Sequence, residues 1–86
     1  MRLVKVWADW CQPCHALTKV MKGMDYEAID AETDEGREFA AKHGVRALPT
    51  LLILNDEGEA VSMKTGLMGR PEIERWVSNN SPEEES

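Results

Sequence analysis

Residues 3–14, Leu3-Val4-Lys5-Val6-Trp7-Ala8-Asp9-Trp10-Cys11-Gln12-Pro13-Cys14, pass from one kind of local structure to another with almost no spacer. Leu3 to Ala8 is rich in β-branched and aromatic residues and reads as a strand. From about Cys11 to Lys22, Leu17, Val20, Met21 and Met24 recur at helical spacing, and Gly23 offers a stop. A strand that runs straight into a helix puts both cysteines of the chain at the helix's first turn.

Outward from this segment the pattern continues in short elements. Tyr26-Glu27-Ala28-Ile29-Asp30 reads as a second strand. Thr33 or Asp34 is the expected cap of a second helix, which has acids in its first turn, Lys42 and His43 in its last, and Gly44 as its end. Thr50 to Leu54 and Ala60 to Lys64 flank the polar turn Asn55-Asp56-Glu57-Gly58-Glu59, the signature of a hairpin. Pro71 suits the first turn of a last helix with Ile73, Trp76 and Val77 on one face. The order β-α-β-α-β-β-α implies an α/β fold: a parallel pair joined by a crossover helix, then a hairpin. The result is a four-stranded mixed sheet with helices on both faces. One domain is expected over residues 1–80, with residues 81–86, SPEEES, as a flexible acidic tail.

Bulk properties narrow the chemistry. The chain has 86 residues, 42% of them hydrophobic and 30% charged, which suits one small folded domain. Its longest apolar run, Leu51-Leu52-Ile53-Leu54, is far short of the roughly 20 residues a membrane helix needs. The start, MRLVKVWADW, reaches charged and aromatic residues before a signal-peptide core could form, so a cytoplasmic protein without membrane partners is expected. A net charge of −6 without a basic stripe argues against nucleic acid.

Cys11 and Cys14 are the only cysteines, so no disulfide framework is being built. At a helix N-terminus Cys11 would lie near N–H groups with no intrahelical partner, which favours thiolate, while Cys14 lies one turn further in and less exposed. Such a pair suits thiol–disulfide exchange: Cys11 attacks a partner's disulfide, and Cys14 resolves the mixed disulfide. Pro13 fits the first turn, where its missing N–H costs little. Other uses of the letters remain open at this point. Cys-Gln-Pro-Cys-His matches haem attachment, with Met63 or Met68 as a conceivable axial ligand, but the export signal that goes with it is not expected. A zinc or iron–sulfur site wants about four ligands, and the two cysteines with His15 supply three, with His43 as the only other histidine. The pair could also be purely structural.

Two stretches carry a family resemblance. Trp7-Ala8-Asp9-Trp10-Cys11-Gln12-Pro13-Cys14 resembles the W-A-x-W-C-x-P-C segment of thioredoxins, and Gly44-Val45-Arg46-Ala47-Leu48-Pro49-Thr50 resembles their G-[IV]-x-x-x-P-T segment. The two occur in the family's order, and the likeness extends over roughly Leu3 to Val77. It implies a thioredoxin-like thiol–disulfide oxidoreductase, a protein-disulfide reductase and electron carrier in cell redox homeostasis. Cys11 and Cys14 would be the catalytic pair, with Pro49 cis and packed against them. Trp10, Gln12, Pro13, Leu48 and Pro49 would form the surface that meets substrate, the Leu48 backbone pairing with an extended segment. No cofactor or metal is implied. The implied partners are disulfide-containing proteins, with ribonucleotide reductase as a family example, and the chain is expected to act as a monomer.

The chain also departs from the family. Thioredoxins usually carry a strand and helix before the strand that leads to the cysteines; here that strand comes first, which implies the minimal layout of glutaredoxins. Gln12 replaces the usual Gly between the cysteines. Lys5 stands where thioredoxins usually have a buried Asp, and Tyr26 near its usual Lys partner. Lys5 either turns toward Cys14 and favours its thiolate by charge, or snorkels to water. His15, at i+4 from Cys11, either supports the thiolate when protonated or is simply an exposed residue of the helix surface. Glutaredoxins match the length but usually carry Gly-Gly and an Asp after the hairpin to hold glutathione, and Thr65-Gly66-Leu67-Met68-Gly69 lacks them. A flavoprotein thioredoxin reductase is therefore expected as electron source, with glutathione as the alternative. A docking module with incidental redox chemistry is a further alternative.

Overall fold

The strand-to-helix segment forms as expected in the computed structural model, which describes residues 1–80; the tail expected at 81–86 lies outside the described residues. Strand β1 (Arg2–Trp7) leads to helix α1 (Gln12–Val20), then β2 (Glu27–Asp30), α2 (Asp34–His43), β3 (Thr50–Leu54), β4 (Ala60–Thr65) and α3 (Arg70–Asn79). The sheet order is β2-β1-β3-β4, with β1 and β2 parallel and β3 antiparallel to both β1 and β4. This is the mixed sheet the element order implies, and the short crossover through α1 accounts for the parallel pair.

Alternation along the two central strands builds two cores. Leu3, Leu51 and Ile53 face Leu17 and Met21 of α1, Ile73 and Trp76 of α3, and Met68. Val4, Val6, Leu52 and Leu54 point the other way, toward Ile29, Phe39 of α2, Val45 and Leu48. Both faces of β1 and β3 are thus covered, which is why β3 reads as an unbroken apolar run. Trp76 Nε1 donates to Ser62 Oγ at 2.8 Å and ties α3 to the edge strand β4.

The ends of the elements follow local chemistry. Thr33 caps α2, its Oγ1 accepting from Gly36 N at 2.9 Å. Gly44 ends the same helix at φ 72°, in the left-handed region that glycine reaches without a steric cost. Several boundaries differ from expectation by a residue or two, α1 for instance ending at Val20 rather than Lys22, and two of them have a local cause. β1 stops at Trp7 because the carbonyl of Ala8 turns to accept from Cys11 N at 3.1 Å and opens the turn into α1. Tyr26 falls just before β2, and its hydroxyl is engaged by Lys5.

Arg2 clamps the parallel pair from outside, donating from Nε and Nη2 to the two Glu27 carboxylate oxygens at 2.7 and 2.8 Å. These hydrogen bonds, helped by the opposite charge and opposed by slight burial, hold the Glu27 carboxyl below its usual range. Because the folded value is the lower one, the stabilisation stands above the ordinary carboxylate pKa of about 4.3 and is lost as pH falls through the folded value. The stability gap between wild type and Glu27→Gln, read by urea unfolding, is therefore expected to shrink on acidification from neutral pH. A gap that grows would contradict this sign.

Candidate active site

Cys11 and Cys14 are joined as a disulfide with a Cα–Cα distance of 5.2 Å. Cys11 is the N-cap of α1 in extended conformation, and Pro13 lies in the helix's first turn. The Cys11 carbonyl accepts from Cys14 N at 3.1 Å and His15 N at 3.3 Å, while its Sγ accepts from Cys14 N at 3.2 Å. One of the free N–H groups of the helix end is therefore aimed at the Cys11 sulfur, an arrangement that stabilises negative charge there once the disulfide is reduced. Cys11 keeps 4% of its surface and Cys14 none. The asymmetry has the expected direction, but the opening over Cys11 is narrower than the exposed thiol expected from sequence, because Ala8, Trp7 and Leu48 pack around the pair.

The second motif meets the first across the top of the sheet. The Leu48–Pro49 peptide bond is cis, as the resemblance implies. Pro49 is fully buried and its carbonyl accepts from Gly66 N at 2.8 Å, while Leu48 packs on the cysteine cluster and precedes the ladder that begins at Thr50. Gln12 and Pro13 are exposed on the outer side of the helix turn. Trp10 is 66% exposed, yet its indole N–H is bonded to a Glu32 carboxylate oxygen.

Lys5 does not snorkel. It is 3% exposed, and its Nζ donates to Thr18 Oγ1 at 2.5 Å and Tyr26 Oη at 3.3 Å, with the ammonium 4.9 Å from the Tyr26 ring centroid. His15 is exposed; its Nε2 donates to the Asp9 carbonyl at 2.7 Å, and its ring meets Trp7 edge-on at 6.4 Å. Trp7 is only half buried and, with Lys5, Asp9, His15, Thr18, Tyr26 and Ala28, lines a cleft of about 320 Å³.

Two residues with a part in this arrangement stand outside the candidates read from sequence. Thr18 links Lys5 to the cysteine helix, and its place at i+4 from Cys14 was a readable signal. Glu32, which steadies Trp10, carried none.

Comparison with known proteins agrees with this geometry. The family model described as Thioredoxin matches residues 1–79. The chain is 34% identical over 84 residues to a thioredoxin of Bacillus subtilis, covering 91% of this chain and 80% of that one. It is 33% identical over 84 residues to a thioredoxin of Rickettsia bellii, covering 91% and 79%. Among solved structures, thioredoxin NaTrxh from Nicotiana alata superposes with a TM-score of 0.75 at 31% identity, covering 90% of this chain and 70% of that one. A bonded cysteine pair at a helix mouth, a cis proline on the adjoining loop, and relatives that share nearly the whole chain place this protein in the thioredoxin family, as a thiol–disulfide oxidoreductase acting on protein disulfides.

Proposed function

We propose that the chain reduces protein disulfides with Cys11 as the attacking sulfur and Cys14 as the resolving one. The observation that carries this assignment is the Cys14 N–H donating to Cys11 Sγ at 3.2 Å, while Cys11 alone of the pair retains any exposed surface. In the reduced protein the Cys11 thiolate attacks one sulfur of the substrate disulfide, and the other substrate sulfur leaves as a thiol. Cys14, deprotonated, then attacks Cys11 Sγ; the bond from Cys11 to substrate breaks, and the second substrate sulfur leaves and takes up a proton. Two electrons and two protons pass to the substrate. The Leu48 peptide, lying outside the ladder beside the cysteines, would pair with an extended substrate segment, and the exposed Trp10, Gln12 and Pro13 would complete the contact surface, whereas Pro49, expected there from sequence, is fully buried and adds no surface of its own.

A flavoprotein thioredoxin reductase is the electron donor in this reading, in a monomeric carrier working in the reducing cytoplasm as part of redox homeostasis. Ribonucleotide reductase is one acceptor it would serve, on family likeness alone. Insulin reduction run in parallel with NADPH and thioredoxin reductase, and with glutathione and its reductase, tests the donor. Turnover is expected with the flavoprotein; turnover confined to glutathione would overturn that assignment. Partner function that survives Cys11→Ser with Cys14→Ser would favour a docking role instead.

A further inference from the structure

On β1, Leu3, Lys5 and Trp7 point to the sheet face covered by α1, and the stripe of α1 turned toward that face carries Cys14 and Thr18 one helical turn apart. The two sets meet through one hydroxyl. Lys5 Nζ donates to Thr18 Oγ1 at 2.5 Å, and Thr18 Oγ1 donates to the Cys14 carbonyl at 3.1 Å. Its other partner, the Tyr26 hydroxyl, is formally neutral, and none of the ion pairs among the described residues includes Lys5. An ammonium withdrawn from water without a carboxylate beside it projects its field into the surrounding protein instead of having it quenched locally.

We propose that Lys5 is a positioning residue that stabilises the Cys14 thiolate through Thr18, and so makes the cysteine pair a weaker reductant than a neutral residue at position 5 would. The inference rests on the exchange reaction proposed above. Positive charge near Cys14 has little effect on a neutral disulfide or a neutral thiol, but lowers the free energy of the thiolate. It therefore favours the reduced state wherever Cys14 is ionised, and hastens the resolving attack by raising the fraction of Cys14 that can attack. The proton given up goes to water. Three other titratable groups face the same cleft: Asp9 from the loop after β1, His15 from α1 and Tyr26 from the segment before β2.

The test is the redox equilibrium with glutathione, followed as a function of pH together with the 240 nm thiolate absorbance. Lys5→Gln can retain hydrogen bonds to Thr18 and Tyr26 while removing the charge. At pH 8 it is expected to favour the disulfide form over the dithiol at least about threefold more than wild type, with the thiolate absorbance appearing at higher pH. At a pH low enough to protonate both thiols the two proteins should converge, a behaviour that a purely structural role would not produce. Thr18→Val, at an exposed helix position, keeps the charge and breaks the bridge; a smaller shift in the same direction is expected. An equilibrium for Lys5→Gln equal to wild type, in a protein that still reduces insulin when unmutated, overturns the proposal and leaves the exchange function standing. Should Lys5→Gln fail to fold, an unshifted Thr18→Val overturns it. Absence of insulin reduction by wild type would instead remove the reading on which the proposal rests.

Discussion

Insulin reduction by Cys11→Ser is expected to fall at least about 10³-fold below wild type, because the attacking sulfur is replaced by a hydroxyl that does not ionise at neutral pH. Cys14 cannot substitute for it. Its surface is wholly buried, whereas an exchange reaction needs the incoming disulfide to approach the attacking sulfur in line. Cys14→Ser should fail differently. It keeps the N-capping sulfur of Cys11 and the backbone N–H donated to it, so the first attack proceeds and the mixed disulfide has no resolving thiol. A covalent complex with substrate is expected to accumulate at one per chain on a non-reducing gel and to disappear on treatment with dithiothreitol. If Cys11→Ser trapped substrate and Cys14→Ser did not, the two roles would have to be exchanged.

The second large effect is expected at the junction of β2 and α2. An added Cβ at Gly36 would lie 1.8 Å from the Asp30 carbonyl oxygen, 2.7 Å from its carbon and 3.0 Å from Thr33 Oγ1. The first two are backbone atoms of β2's last residue, held there because Asp30 O accepts from Thr33 N at 3.2 Å and from Thr33 Oγ1 at 2.9 Å, while Asp30 Oδ1 accepts from Glu32 N at 2.9 Å. Gly36→Ala would ordinarily gain up to about 1 kcal/mol of helix propensity. Here that gain is outweighed, since the start of α2 must move off the end of β2. A net loss of about 1–3 kcal/mol is expected, as for overpacking elsewhere, together with a fall in Tm of roughly 5–20 °C. Thermal unfolding followed by circular dichroism decides it; an unchanged or raised Tm would show that the junction relaxes freely.

What could be read in advance divides along sequence distance. The switch from strand to helix around Cys11, the Thr33 cap, the Gly44 stop and the hairpin after Leu54 are each set by residues within a few positions of one another, and each appears where the pattern puts it. The cysteine pair and the Leu48–Pro49 segment were legible as motifs, because exchange chemistry demands particular side chains at fixed spacing. The surroundings of Lys5 were not. Whether a lysine in a strand escapes to water or stays inside depends on Tyr26, 21 positions away, and Thr18, 13 positions away, and no periodicity encodes that choice. Gly36 was invisible for the same reason: glycine in a helix looks like a weakness until the neighbouring strand end is known. The narrow opening over Cys11 likewise comes from Leu48, on a loop brought in by the sheet order.

The indole of Trp10 stands out into solvent with its N–H already fastened to Glu32 on the connection between β2 and α2. A large aromatic side chain that swung freely would lose that freedom on meeting a visitor. Here much of that ordering has been done during folding. In the proposed contact surface Trp10 would act as a fixed platform for visitors of differing shape, and Glu32, which holds the indole beside Cys11, would share in how readily they are received.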